Sequence, residues 1–195
     1  EGYQINTDNG NIEITAATGA GALYAAQTVM RMIELQSYQN PSDQLFVQGV
    51  NIEDTPRFGY RGLHLDVSRN FHSLERVKRI LDQMAYYKLN RLLITLTNDE
   101  GWRIEIPGLP ELTEIGAKRG HTTDEEDRLY PAYGSGPAPA EGQFYTRDAF
   151  IDLLKYAHER HIDVIPEIDL PGHARAAIRA MQARARSMSG DEAEE

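Results

Sequence analysis

The sequence of 195 residues contains no cysteine, which excludes disulfide bonds and thiol chemistry within it. It is also short of positive charge: 20 Lys and Arg stand against 30 Asp and Glu, for a net charge of −10. This balance argues against nucleic acid or an anionic membrane as the main partner. No apolar stretch is long enough to span a bilayer. The hydrophobic fraction of 41% is nevertheless enough for a core of ordinary size.

The first 55 residues have the pattern of a small α+β unit. Two short alternating runs, 3–7 and 11–16, flank Asn9-Gly10, which is the strongest short signal for a β-hairpin. Apolar residues then recur at helical spacing, and residues 46–53 are typical of a further strand. The predicted order is strand, strand, helix, strand.

A domain boundary is predicted beside Pro56, because proline disfavours helix in the residue before it. It divides the chain into residues 1–55 and 56–195. Beyond the boundary, strands and helices alternate, which is typical of parallel α/β units. The predicted strands are 60–69, 91–97 and 163–170, and the predicted helices are 74–84 (behind Ser73 as N-cap), 146–160 and 174–186.

Three strand–helix units are too few for a closed (β/α)8 barrel, which needs eight. Either the chain is a fragment of a barrel or its units form a smaller open sheet. A long irregular segment, 107–144, interrupts the alternation. A connection of that length in a compact unit is usually functional or mobile.

Polar residues stand at the end of each predicted parallel strand. Arg69 is the last residue of the first, Asn98 and Asp99 come directly after the second, and His173 comes shortly after the third. Because the carboxyl ends of parallel strands meet at one edge of a sheet, we expect these side chains to form one site.

Three long motifs occur in a characteristic order: RGLHLDVSR at 61–69, LTNDEGWRIEI at 96–106 and PEIDLPGH at 166–173. They resemble the opening motifs of the family 20 glycoside hydrolases, the β-N-acetylhexosaminidases. The segment PGLPEL at 107–112, with the long loop after it, is most similar to the bacterial chitobiase branch. The N-terminal part, including GALY at 21–24, resembles the end of the small α+β domain that precedes the barrel in this family.

The resemblance implies an α/β fold class: a partial (β/α)8 TIM barrel, made of the first three βα units, preceded by the end of a small α+β domain. It implies retaining, substrate-assisted hydrolysis of terminal N-acetylglucosamine or N-acetylgalactosamine, in which the substrate's 2-acetamido oxygen replaces an enzyme nucleophile. The implied partner is an amino-sugar oligosaccharide, the implied location is periplasmic or extracellular, and no cofactor is expected.

The catalytic residues themselves are expected to be missing. In the family an Asp-Glu pair ends the fourth barrel strand, where Glu protonates the leaving oxygen and Asp orients the acetamido group. The letters SGDE at 189–192 look similar, but no apolar strand precedes them, so we interpret Asp191 and Glu192 as a solvated helix end. The chain is therefore expected to be an inactive fragment that self-associates through open barrel edges.

The resemblance also assigns roles to the polar strand ends. Arg69 corresponds to an arginine that hydrogen-bonds sugar hydroxyls, although residue chemistry alone equally allows a surface ion pair. His173 would tune the catalytic acid through a hydrogen-bonded relay. The family usually has two Asp where this chain has Asn98 and Asp99, so either an amide replaces the histidine's partner or Asp99 takes that part.

Other residues favour simpler interpretations. Trp102, the only tryptophan, is predicted to be a packing anchor rather than a sugar platform. His64 and Asp66 lack the second histidine that a metal-dependent barrel hydrolase would need, so no metal is expected. The alternative to a glycosidase is a non-catalytic sugar-binding or interaction module that keeps the Arg69 site.

Overall fold

The computed structural model describes residues 1–8, 10–39, 49–132 and 143–190. The N-terminal elements are β1 (Tyr3–Asp8), β2 (Asn11–Ala16), α1 (Gly19–Gln39) and β3 (Asn51–Asp54). The strands pair antiparallel in the order β2-β1-β3, and α1 packs on β1 and β2. The predicted order of elements is thus present. Asn9 and the start of the predicted strand 46–53 lie outside the described residues.

This small unit has its own core of Tyr3, Ile5, Tyr24 and Ala25. The turn between its first two strands uses Gly10 at a φ of 80°, a conformation that glycine adopts without steric cost. The hairpin register follows directly, with Asp8 opposite Asn11 and Tyr3 opposite Ala16.

The remaining elements are β4 (Gly62–Asp66), α2 (Leu74–Tyr86), β5 (Arg91–Asn98), β6 (Gly101–Trp102), α3 (Glu111–Glu114), α4 (Arg147–His158), β7 (Asp163–Ile168) and α5 (Arg175–Ser189). Strand β5 pairs parallel with β4 on one side and with β7 on the other. The short β6 pairs antiparallel with the end of β5. Helix α2 follows β4, α4 precedes β7 and α5 follows β7, so the prediction of three parallel strands with helical connections is confirmed.

One face of the parallel sheet is buried under the helices. Leu92, Ile94 and Leu96 of β5 alternate along that face and are at most 1% exposed. The helices bury Val77, Leu81, Met84, Leu153, Ala157, Ala176 and Ala180 in the same cluster. Burial of these apolar side chains contributes roughly 1.5–3 kcal/mol for each large one, so this layer holds the strand ends in place.

The long segment after β6 is partly ordered by its own contacts. It contains the single turn α3 and a bridge between Arg119 and Leu129, and its last described part returns to the sheet where Tyr145 pairs with Ile104. Trp102 is 7% exposed and its Nε1 donates to the carbonyl of Ile104 at 2.6 Å, which is consistent with a packing anchor. The Gly- and Pro-rich stretch 134–139 lies outside the described residues.

The two parts of the chain are joined by polar contacts. Lys88 adopts a left-handed φ of 59°, and its Nζ donates to the Tyr3 hydroxyl at 2.7 Å and to Thr28 Oγ1 at 2.8 Å. Arg61 forms an ion pair with Glu1 at 2.9 Å. The boundary at residues 55 and 56 remains a prediction. Within the described ranges, no helix combines the length and the apolar character needed to cross a membrane.

Candidate functional site

The polar residues that follow β4, β5 and β7 come together at the carboxyl ends of these strands. Arg69 lies three residues beyond β4, Asn98 is the last residue of β5, and Asp169 follows β7. Direct hydrogen bonds join these three side chains. The carboxyl edge of the parallel sheet therefore carries a connected polar cluster.

The guanidinium of Arg69 is held from three sides. Nη1 donates to Asp66 Oδ2 at 2.6 Å, Nη2 donates to Asn98 Oδ1 at 3.0 Å, and Nε lies 3.4 Å from Glu100 Oε2. The hydrogen bond with Asp66, and to a lesser degree the surrounding acids, raise the pKa of Arg69. The side chain is still 46% exposed. Both an ion pair and an accessible, oriented guanidinium are present.

Asn98 connects all three parallel strands. It is 2% exposed. Its Oδ1 accepts hydrogen bonds from Arg69 and from the backbone N–H of Asp99, and its Nδ2 donates to Asp169 Oδ2 at 3.0 Å. A carboxylate could not donate the last of these bonds. The amide thus fits its surroundings as both acceptor and donor.

The hydrogen bond of the His173 side chain goes to Asp99 and not to Asn98. Its Nδ1 lies 2.8 Å from Asp99 Oδ2, and Asp99 Oδ1 accepts the backbone N–H of Arg175 at 3.1 Å. The hydrogen bond with His173 is the main cause that lowers the pKa of Asp99. His173 has a left-handed φ of 51°, which is uncommon for a non-glycine residue and is found preferentially at functional sites. Of the two alternatives left by the sequence, the contacts favour Asp99.

A second set of polar contacts joins the three parallel strands before their carboxyl ends. Thr95 of β5 bonds His64 Nε2 at 2.7 Å and donates to Glu167 Oε1 at 2.9 Å, so β4, β5 and β7 are cross-linked below the Arg69 cluster. Among the residues that the structure describes, no group of three His, Cys, Asp or Glu side chains could hold a metal ion.

Two buried arginines that the sequence did not single out support the loop after β4. Arg103 is fully buried, and its Nε and Nη2 donate to the carbonyl of Ser68. Arg119 is 5% exposed and donates to the carbonyl of Arg69 at 2.9 Å. Both arginines therefore hold the backbone at two successive carbonyl groups, those of Ser68 and Arg69. No hydrophobic pattern in the sequence around these two arginines predicts that they are buried.

The four residues SGDE, 189–192, begin at the last residue of helix α5. Helix α5 ends at Ser189, and Gly190 adopts a left-handed φ of 75°, which is a common helix termination. Asp191 and Glu192 lie outside the described residues. Their interpretation as a solvated helix end remains a prediction.

Comparison with known families matches both parts of the chain. Residues 58–195 match the family model for the glycosyl hydrolase family 20 catalytic domain, and residues 1–55 match the model for domain 2 of the same family.

Individual proteins give the same result. The N,N'-diacetylchitobiase of Vibrio harveyi is 47% identical over 93% of this chain, which is 20% of that protein, and a β-hexosaminidase of Vibrio vulnificus is 42% identical over 97% of this chain and 22% of its own length.

Solved structures are similar in fold as well as sequence. An exo β-N-acetylglucosaminidase from Vibrio harveyi, in complex with N-acetylglucosamine, has a TM-score of 0.80 and 38% identity, covering 93% of this chain and 27% of that one. The N-acetyl-β-hexosaminidase of Streptomyces plicatus has a TM-score of 0.72 and 35% identity, with 91% and 33% coverage. The chain thus spans about a quarter to a third of these structures.

Proposed function

The chain belongs to glycosyl hydrolase family 20, a family of glycosidases, and from this membership we propose that the protein carrying it is a β-N-acetylhexosaminidase. Its substrates would be chito-oligosaccharides or glycans that end in N-acetylglucosamine or N-acetylgalactosamine. Because the chain spans only about a fifth of the curated relatives, the activity of the whole protein is part of this proposal.

The proposed reaction retains configuration through participation of the substrate. The 2-acetamido oxygen attacks the anomeric carbon, a general acid protonates the leaving oxygen, and water then opens the cyclic intermediate. We assign the acid and the residue that orients the acetamido group to a later part of the barrel. The 195-residue chain on its own would then bind sugar weakly and hydrolyse nothing.

Arg69 is the residue proposed to bind sugar hydroxyls. Its planar guanidinium suits two vicinal hydroxyl groups, since it presents several N–H donors in a fixed geometry. Asp66 and Asn98 hold the group in one orientation while leaving 46% of it exposed. A side chain restrained in this way loses little further conformational entropy when it binds a ligand.

His173 and Asp99 are the proposed relay to the catalytic acid. In the tautomer whose Nδ1–H donates a hydrogen bond to Asp99, the other ring nitrogen, Nε2, is an acceptor. The His173 side chain is 61% exposed. A glutamic acid next to Nε2 could share its proton with the imidazole, and Asp99 would stabilise the imidazolium that forms. This division of roles does not require a charge on Asn98.

The single observation that carries the proposal is the convergence of three strand ends on one edge. Arg69, Asn98 and Asp169 are directly hydrogen-bonded there, and Asp99 continues from Asn98 to His173. A surface ion pair would need only Arg69 and Asp66. The wider cluster supports a built binding site.

The test is hydrolysis of 4-nitrophenyl N-acetyl-β-D-glucosaminide by the full-length gene product and by the 195-residue chain. We expect turnover by the former alone, with kcat/KM reduced at least about tenfold by Arg69→Lys, because a point charge cannot bind two hydroxyls as the planar group does. Arg128→Lys, in an exposed ion pair with Asp127, is the control. Turnover by the isolated chain, abolished by Glu192→Gln, would contradict the proposal.

Sugar binding without hydrolysis in the full-length protein would instead indicate the non-catalytic module. In that case the binding should still depend on Arg69, and isothermal titration with N-acetylglucosamine would measure it.

A further inference from the structure

Glu125 is a buried carboxylate on the long segment beside the candidate site. Its side chain has no exposed surface, although it lies in a run of four acids, 124–127. Oε2 accepts hydrogen bonds from Arg175 Nη2 at 2.7 Å and Nε at 3.1 Å and from Arg179 Nε at 2.9 Å, and Oε1 accepts the backbone N–H of Tyr130 at 3.1 Å. The carboxylate thus has four hydrogen-bond donors.

Arg175 connects this carboxylate to the relay. Its backbone N–H donates to Asp99 Oδ1, while its guanidinium turns away and binds Glu125. The remaining oxygen of Asp99 contacts His173. Arg175 therefore binds two acids: its backbone amide binds Asp99 and its side chain binds Glu125.

We propose that Glu125 is a positioning residue: it keeps the Arg175 guanidinium off Asp99, so that Asp99 remains available to His173. The catalytic consequence rests on the proposed function. The structural consequence, which concerns only these four residues, does not.

The physical reason is competition between the Arg175 guanidinium and the His173 ring for one carboxylate, that of Asp99. Charge-assisted, bidentate pairs between arginine and carboxylate are stronger than a single hydrogen bond from an imidazole. In the part of the chain that the structure describes, a cavity of about 490 Å³, lined in part by Asp99, Glu125, Tyr130 and Arg175, leaves room for the guanidinium to turn. Without a negative charge at residue 125, we expect the Arg175 guanidinium to bind Asp99, which already accepts the backbone N–H of Arg175.

The kinetic test uses the full-length protein with Glu125→Gln and the double variant Glu125→Gln/Arg175→Gln. We expect Glu125→Gln to lower kcat about tenfold or more with KM changed less than about twofold, since the relay acts on proton transfer and not on sugar binding. Removing the competing guanidinium in the double variant should restore kcat to within about threefold of the parent. A double variant no better than the single one would overturn the proposal.

The structural test compares crystal structures of the parent and of Glu125→Gln. We expect the Arg175 guanidinium to bind Asp99 in the variant and the His173–Asp99 hydrogen bond to be lost. An unchanged His173–Asp99 contact would refute the positioning role. This comparison decides the matter even if the full-length protein proves to hydrolyse no hexosaminide, which would refute only the proposed function.

Two further variants keep the test interpretable. Glu126→Gln is the matched control, because this neighbouring acid is exposed and its cationic partner, Arg186, is 3.9 Å away. We expect it to behave as the parent does. If Glu125→Gln fails to fold, Glu125→Asp retains the charge but is one methylene shorter, and its loss of kcat should likewise be reversed by Arg175→Gln. A loss that Arg175→Gln deepens would count against the proposal.

Discussion

Among the described residues, the carboxylate of Asp99 has two hydrogen-bond partners: the His173 ring on Oδ2 and the Arg175 backbone N–H on Oδ1. Replacement by asparagine preserves the size of the side chain and removes its charge. In the full-length protein we expect Asp99→Asn to lower kcat about 10- to 100-fold, because an imidazolium formed during proton transfer loses its stabilising carboxylate. Steady-state kinetics with a chromogenic N-acetylglucosaminide would measure this.

The control for Asp99→Asn is Asp127→Asn, an exposed acid that pairs only with its neighbour Arg128 in the contacts described. It should leave kcat within about twofold of the parent, as surface substitutions usually do. Equal kcat values for Asp99→Asn and the parent would show that the 2.8 Å contact has no part in catalysis.

Glu125 is also expected to make stability depend on pH. Burial alone would raise its pKa, but hydrogen bonds from Arg175, from the Tyr130 backbone and from Arg179, together with the charge of Arg175, hold the pKa below its ordinary value. A carboxyl whose pKa is lower in the folded state stabilises the fold above the unfolded-state pKa of about 4.3. That contribution is lost as the pH falls through the lower, folded-state value.

Glu125→Gln should therefore lower the free energy of unfolding by about 2 kcal/mol at pH 7, the scale for removing one partner from a buried ion pair whose cations are partly exposed. The difference from the parent should shrink at pH 3. Urea unfolding of both proteins at the two pH values measures it. A difference that is the same at pH 7 and pH 3 would mean that the charge of Glu125 is not involved.

At the scale of secondary-structure elements, α2 and α4 both begin after a β-hydroxyl residue, yet only one is capped by it. The Thr146 hydroxyl accepts the backbone N–H of Ala149 at 3.1 Å, whereas the Ser73 side chain makes no such bond. We expect Thr146→Ala to destabilise the fold by about 1 kcal/mol. Ser73→Ala, the matched control, should change stability by less than about 0.5 kcal/mol in the same urea titration. Equal losses in both variants would contradict this difference.

These two helix starts also show what the sequence can predict about elements. Apolar residues at helical spacing predicted α2 and α4, and short runs of apolar residues predicted β5 and β7. Ser73 and Thr146 have the same chemistry at the same position, so the hydrogen bond depends on side-chain rotation that the pattern does not determine.

The candidate site was predictable to a similar degree. Strand ends that meet at one edge follow from parallel pairing, which is why the sequence predicts that Arg69, Asn98 and His173 lie near one another; their roles remain a prediction. The choice between Asn98 and Asp99 depended on where β5 ends, and strand ends are the least predictable feature. Glu125 lies among three other acids, and in the sequence such a run resembles a solvated surface segment. Only the position of α5 reveals that it faces two arginines.

At the scale of the whole molecule, the parallel sheet has two open sides. Within the described residues, β4 and β7 each pair only with β5, so the outer edge of each strand has unpaired backbone groups. Ile165 pairs in register with Leu93, facing the side of the sheet away from the helix-covered Leu92 and Ile94, and is 37% exposed. Open strand edges beside exposed apolar side chains favour association.

We therefore expect the isolated 195-residue chain to form dimers or larger species at micromolar concentration, measured by size-exclusion chromatography with light scattering. Ile165→Lys should shift the population towards monomer, because a charge on the open face opposes contact with a second sheet. Tyr38→Lys, a substitution of a 92% exposed aromatic residue on α1, is the control and should leave the association unchanged. A monomeric parent chain would show that the strand edges and the sheet face that carries Ile165 need no partner. A Tyr38→Lys variant that dissociates equally would place the contact on the N-terminal part instead of the parallel sheet.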